Sequence, residues 1–132
     1  MCDAGKVSAD TPDWSREVCQ GFWDPDRRLL RSIRSFQKWE KRCVPWKWLR
    51  KYWVFQHRFW GAVSGADIPL NCEIGGGLLL THPNGVVIFP TAIIGPNCLI
   101  FQQVTIGTGG SKPELPVLGG HVDIGAGAKI GE

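Results

Sequence analysis

The sequence predicts a mainly β protein, a parallel β-helix of six-residue units preceded by a short α-helical segment. Three observations carry this. Aliphatic residues recur six apart from Ile68 onward, glycine follows most of them, and the residues before Ala66 change to helical spacing with a basic, aromatic character. The chain of 132 residues has room for one such coil domain and its helical extension.

The helical segment comes first in the chain. Residues 1–11 are small and polar and read as a loose tail. Asp24 suits an N-cap, Pro25 the first helical position and Asp26 the first turn. From Arg27 to Arg42 the spacing puts Leu29 or Leu30, Ile33 and Phe36 on one side and cations on the rest, and Pro45 ends that helix. Trp46 to Trp60 then carries two stripes at helical spacing: Trp46, Leu49, Trp53 and Trp60, and Trp48, Tyr52, Phe55 and Phe59. Two stripes imply burial on two sides, one against the coil and one against a neighbouring subunit, because rings bury large areas. Eleven Lys/Arg fall between Arg27 and Arg58, with Glu40 the one acid inside the helical pattern. No nucleic-acid-binding signature accompanies them, so they read as a solvated helix face.

The repeat begins at Ala66. Ile68, Ile74 and Leu80 keep the frame; Ile88, Ile94, Ile100 and Ile106 resume it after a two-residue insertion; Leu118, Ile124 and Ile130 resume it after a longer one. A helix needs a period near 3.6 and a flat strand a period of 2. Six residues instead make one short strand and one corner, and three units close a triangular coil. The small residues Cys72, Ala92, Cys98, Val104, Val122 and Ala128 suit its narrow interior. Seventeen glycines and nine prolines, against usual shares of roughly 7% and 5%, suit frequent corners. The pattern stops just past Ile130-Gly131 with no cap, so the chain reads as C-terminally truncated. The organisation expected is a helical segment over 1–65 and a coil domain over 66–132.

Several function classes are disfavoured. The odd set Cys2, Cys19, Cys43, Cys72 and Cys98 has no metal-ligand spacing and reads as free thiols in a reducing compartment. The first residues lack the apolar run of a signal peptide, and no stretch approaches the roughly 20 apolar residues of a membrane span. A cytoplasmic protein without metal, nucleic-acid partner or membrane span is expected.

The stretch Ile88 to Gly107 resembles the hexapeptide-transferase signature. The wider segment Gly65 to Gly131 is similar to serine O-acetyltransferases, above all in Ala66-Asp67-Ile68-Pro69, Thr81-His82-Pro83-Asn84-Gly85 and Ile124-Gly125-Ala126-Gly127-Ala128. The resemblance implies a left-handed parallel β-helix, a homotrimer or dimer of trimers with sites between subunits, and acetyl-CoA as donor to L-serine. It also implies His82 as general base, with Asp67 fixing its tautomer. His82 lies in the insertion that breaks the frame, where coil closure does not require it, and an imidazole titrating near ~6.5 accepts a hydroxyl proton well. Early amides of the Gly107–Pro116 loop, at Gly107 and Thr108, are candidates for the oxyanion and coenzyme. Gly125 and Ala126 match family positions that contact the coenzyme, and Lys129 is a candidate for its phosphates. His57 reads as structural, and His121 as a residue of a repeat turn.

The chain departs from the family at the acceptor. Thr81 stands where an acid precedes the catalytic histidine, and Glu114 and Leu115 stand where an Arg-His pair does. Acetyl transfer to a sugar hydroxyl is therefore the neighbouring reading, and a non-catalytic trimeric scaffold the reading from another class. The sulfhydrylase partner of related enzymes docks on a C-terminal tail with no counterpart in these residues.

Overall fold

The computed structural model describes residues 8–41, 47–109 and 115–131. A 3-10 turn, Trp14–Glu17, leads into α1 (Pro25–Lys41) and α2 (Lys47–Ser64). Nine two-residue strands follow: β1 (Glu73–Ile74), β2 (Leu79–Leu80), β3 (Val87–Ile88), β4 (Ile93–Ile94), β5 (Leu99–Ile100), β6 (Thr105–Ile106), β7 (Val117–Leu118), β8 (Asp123–Ile124) and β9 (Lys129–Ile130). Arg42, Cys43, Pro45, Trp46, Cys2 and the loop residues 110–114 lie outside the described residues.

The strands form three parallel sheets ordered β1-β4-β7, β2-β5-β8 and β3-β6-β9. Each coil thus gives one strand to each of three faces. The register stacks Ile74 on Ile94 on Leu118, Leu80 on Ile100 on Ile124, and Ile88 on Ile106 on Ile130. These are the residues of the six-residue frame, each at the second position of its strand. Ile88, Ile100 and Ile106 are fully buried, with Cys72, Ala92, Cys98 and Val104 filling the space between them. Each such aliphatic contributes roughly 1.5–3 kcal/mol on leaving water.

Glycine in this frame answers a packing demand. A Cβ on Gly75 would lie 2.5 Å from Pro96 N, and one on Gly95 would lie 2.5 Å from the Gly119 carbonyl carbon. Successive coils approach too closely there for any side chain. Corners that turn through positive φ are filled partly by other residues, namely His82, Asn97, Gln103 and His121. His121 is thereby accounted for: it holds a left-handed corner, with its N–H donated to the Pro96 carbonyl at 2.8 Å.

The helices close the first end of the coil. The first coil's backbone has no preceding coil to bond, and an unpaired buried carbonyl is costly. Arg34 donates to the Ile74 carbonyl at 2.5 Å and the Gly75 carbonyl at 2.8 Å. Gln37 donates to the Leu70 and Cys72 carbonyls at 2.8 and 2.9 Å, and His57 Nε2 lies 2.6 Å from the Ile68 carbonyl oxygen. Glu17 holds Arg34 at 2.8 Å and accepts the Gly77 N–H at 2.9 Å. His57 is structural, as expected. Leu29, Leu30 and Ile33 of α1 join the core of the coil and Phe36 is buried as well, and the Asp24 carbonyl accepts the first helical bond from Arg28 at 2.9 Å.

One expectation needs correction. Residues 8–11 are not loose: the buried Asn97 donates to the Ser8 and Thr11 carbonyls at 2.7 Å each and accepts the Asp13 N–H at 2.7 Å. A Cβ on Gly120 would overlap the Ala9 carbonyl. Sequence patterning misses this strap because one buried amide in the coil, rather than any local period, holds it. The two stripes of α2 differ in burial within the single chain. Trp60 is buried and Leu49 and Trp53 are half-buried, while Trp48, Tyr52, Phe55 and Phe59 are all exposed. Within the chain the helix buries one stripe only. No helix among the described residues is long and apolar enough to cross a membrane.

Candidate active site

Thr81–Gly85 is the corner that carries the two-residue insertion. It is pinned at both ends: Thr81 N–H donates to the Ile100 carbonyl at 2.9 Å, and Gly85 N–H to the Gly65 carbonyl at 2.8 Å. Pro83 is buried, and its carbonyl accepts the Val86 N–H at 3.0 Å. His82 stands exposed between them with φ of 51°. A left-handed conformation costs a non-glycine residue roughly 1–2 kcal/mol. Since Asn97, Gln103 and His121 share it, the conformation alone does not single out His82. The insertion does, because it lifts the ring out of the stacked columns.

Asp67 lies on the same coil edge, one layer away. It forms a parallel bridge with Val87, its N–H donating to the Val86 carbonyl at 2.8 Å and its carbonyl accepting from Ile88 at 3.0 Å. The backbone thus brings Asp67 to the strand that leaves the His82 corner. Among the described residues no hydrogen bond joins the two side chains. The Asp67 charge is felt instead by Cys72, whose thiol is pushed up to about 11, first by burial and then by that carboxylate.

An acid whose charge is felt together with that of His82 is Asp26, at the start of α1. Burial raises the Asp26 carboxyl and Asp24 adds to the rise, while Arg27 and His82 pull it down. Sequence reading assigned Asp26 to the first turn of the helix and missed this electrostatic link. No linear signal reports that the start of a helix returns to a corner more than fifty residues later.

The second cluster lies around β6 and β9. Gly107 N–H is engaged by the Ile130 carbonyl at 2.9 Å, so it is part of the ladder and not free for a ligand. Thr108, which follows, is exposed. Gly125 and Ala126 are exposed in the corner after β8, and Lys129 is exposed on β9. A cleft of about 660 Å³ lies elsewhere, between α1 and the β1/β4 face, lined by Arg34, Gln37, Glu73 and Ile93. None of the candidate residues borders it. No group of three or more His, Cys, Asp or Glu able to hold a metal occurs among the described residues.

No family model matches the chain. It is 43% identical over 70 residues to a serine acetyltransferase of Synechococcus elongatus, covering 52% of this chain and 29% of that protein. It is 34% identical over 97 residues to a serine acetyltransferase of Mycobacterium tuberculosis, covering 70% and 42%. Among solved structures, a serine acetyltransferase from Brucella abortus superposes with a TM-score of 0.62 at 27% identity, over 85% of this chain and 46% of that one. Entamoeba histolytica serine acetyltransferase 1, solved in complex with L-cysteine, superposes with a TM-score of 0.60 at 30% identity, over 80% and 41%. The chain is thus similar to serine acetyltransferases in sequence and in its hexapeptide-repeat fold. It spans less than half the length of the curated relatives it matches.

Proposed function

We propose that this chain carries the catalytic part of a serine O-acetyltransferase, moving the acetyl group of acetyl-CoA to the hydroxyl of L-serine in cysteine biosynthesis. The single observation behind the reading is an exposed imidazole at the inserted corner of a hexapeptide coil, in a segment 43% identical to a serine acetyltransferase. The coil winds in the left-handed sense; residues 66–132 form the acyltransferase domain and 1–65 its helical segment. The working form is a cytoplasmic homotrimer or dimer of trimers, with each site at a seam between copies.

His82 takes the proton from the serine hydroxyl as that oxygen attacks the thioester carbonyl. The new C–O bond forms, the C–S bond breaks, and the imidazolium returns its proton to the departing coenzyme thiolate. Such a base contributes roughly 10²- to 10⁴-fold in rate. Asp67 acts as a positioning residue on the same coil edge. The Thr108 amide faces the oxyanion, which needs donors fixed in place before charge develops. Gly125, Ala126 and Lys129 border the coenzyme, with Gly107 holding the ladder beneath it. The Asp26 carboxyl, whose charge interacts with His82, offers negative charge where Thr81 has none, and this supports an acceptor bearing an ammonium group.

The test is release of free thiol from acetyl-CoA by the natural full-length protein with L-serine. His82→Ala lowers turnover by roughly 10²- to 10⁴-fold with circular dichroism unchanged. Asp26→Asn raises KM for serine more than it lowers kcat. Thiol release with a sugar but not with serine, unaffected by Asp26→Asn, transfers the proposal to a polysaccharide-modifying enzyme. Release from neither acceptor leaves the scaffold reading standing.

A further inference from the structure

The outward stripe of α2 stays exposed even where its rings touch their helix neighbours, Tyr52 on Trp53 and Phe59 on Trp60. Trp48 is 80% exposed, Tyr52 51%, Phe55 64% and Phe59 44%, four rings along one face of the helix, roughly a third of a turn round from Leu49, Trp53 and Trp60. A solvated face, as the charge pattern by itself suggests, does not account for four exposed rings. Cations flank them: Arg50, Lys51 and Arg58 border a groove of about 510 Å³ with Val54 and Phe55, and Lys51 Nζ lies 5.7 Å from the Trp48 ring centre. The whole of α2 contains no Asp or Glu.

We infer that this face of α2 docks on an anionic membrane surface. Rings of Trp and Tyr settle at the headgroup level, and Lys and Arg beside them meet lipid phosphates. Charge selects among the occupants. A second copy meeting this face across a two-fold axis would set Arg50, Lys51 and Arg58 against the same cations, with no acid on α2 to answer them. An anionic bilayer supplies the missing negative charge over the full length of the stripe. The helix lies on the surface and does not span it.

Co-sedimentation of the whole chain with vesicles tests this, comparing phosphatidylcholine alone with phosphatidylcholine containing phosphatidylglycerol. The chain pellets with the anionic vesicles only, and less so as salt rises. Each cation near such a surface is worth about fivefold in partitioning, so Lys51→Gln with Arg58→Gln weakens binding about 25-fold. Trp48→Ser with Phe55→Ser removes it. Both pairs are exposed, and circular dichroism verifies that the variants fold. Equal binding to both vesicle types, or binding to neither, overturns the inference. So does sedimentation velocity in which Trp48→Ser with Phe55→Ser dissociates an oligomer that Lys51→Gln with Arg58→Gln leaves whole, since that assigns the stripe to a second copy. Acetyl transfer is read separately and does not enter either outcome.

Discussion

The coil and the helices use apolar residues in opposite ways. In the coil every aliphatic of the six-residue frame points inward, and the strand residue beside it is exposed or half-buried, as Glu73 beside Ile74 and Lys129 beside Ile130. In α2 the two stripes are equally apolar, yet one is covered and the other faces outward. A solenoid closes its own interior coil by coil, so position in the repeat decides burial. A helix has no interior, and its faces are buried only where something else reaches them. The polar contacts divide along the same line. Coil bonds run from backbone to backbone, whereas the helices meet the coil through side chains on carbonyls, by Arg34, Gln37 and His57.

Substitutions break or sharpen this contrast. Ile100→Ala removes a fully buried side chain from the middle layer and should lower unfolding free energy by about 2–5 kcal/mol, measured by urea titration. A much smaller loss would mean the interior is not close-packed. Arg34→Ala strands the Ile74 and Gly75 carbonyls and releases Glu17, for an expected loss of about 1.5–3 kcal/mol. Arg34→Lys should rescue only part of it, because a single ammonium does not reproduce the guanidinium fork. Full rescue would show that charge alone joins helix to coil.

Cys72 gives a pH test confined to the coil. Its thiol rises from the ordinary 9.0 to about 11 in the folded chain. A raised folded value means that stability from this group is complete below pH 9 and is lost as pH climbs toward 11. The loss is at most about 2–3 kcal/mol, and Cys72→Ala should flatten that part of the stability profile. No change in slope would place the thiol in contact with water. At the small end, Trp48→Ser on the outer stripe should shift the stability of the isolated chain by no more than about 0.5 kcal/mol. A larger shift would mean that the stripe packs on its own chain.

The corner at His82 was legible because an insertion stands out against a strict period. The same period specifies the nine strands, the glycine columns and the inward aliphatics. The start of α1 at Pro25 was legible too, since Asp24 and Pro25 are local signals that need no tertiary context. Asp26 was not legible, nor was the clamp of Asn97 on residues 8–13, nor the commitment of Gly107 N–H to Ile130.

Spacing along the chain settled what lies inside the coil, because a stacked repeat makes sequence neighbours and spatial layers the same thing. Tertiary folding alone decided which α2 stripe is covered, that the Asp26 charge is felt with that of His82, and what holds the first coil's carbonyls. Those contacts join residues far apart in sequence. They follow from how two helices settle on an open coil end, a fact no local period encodes.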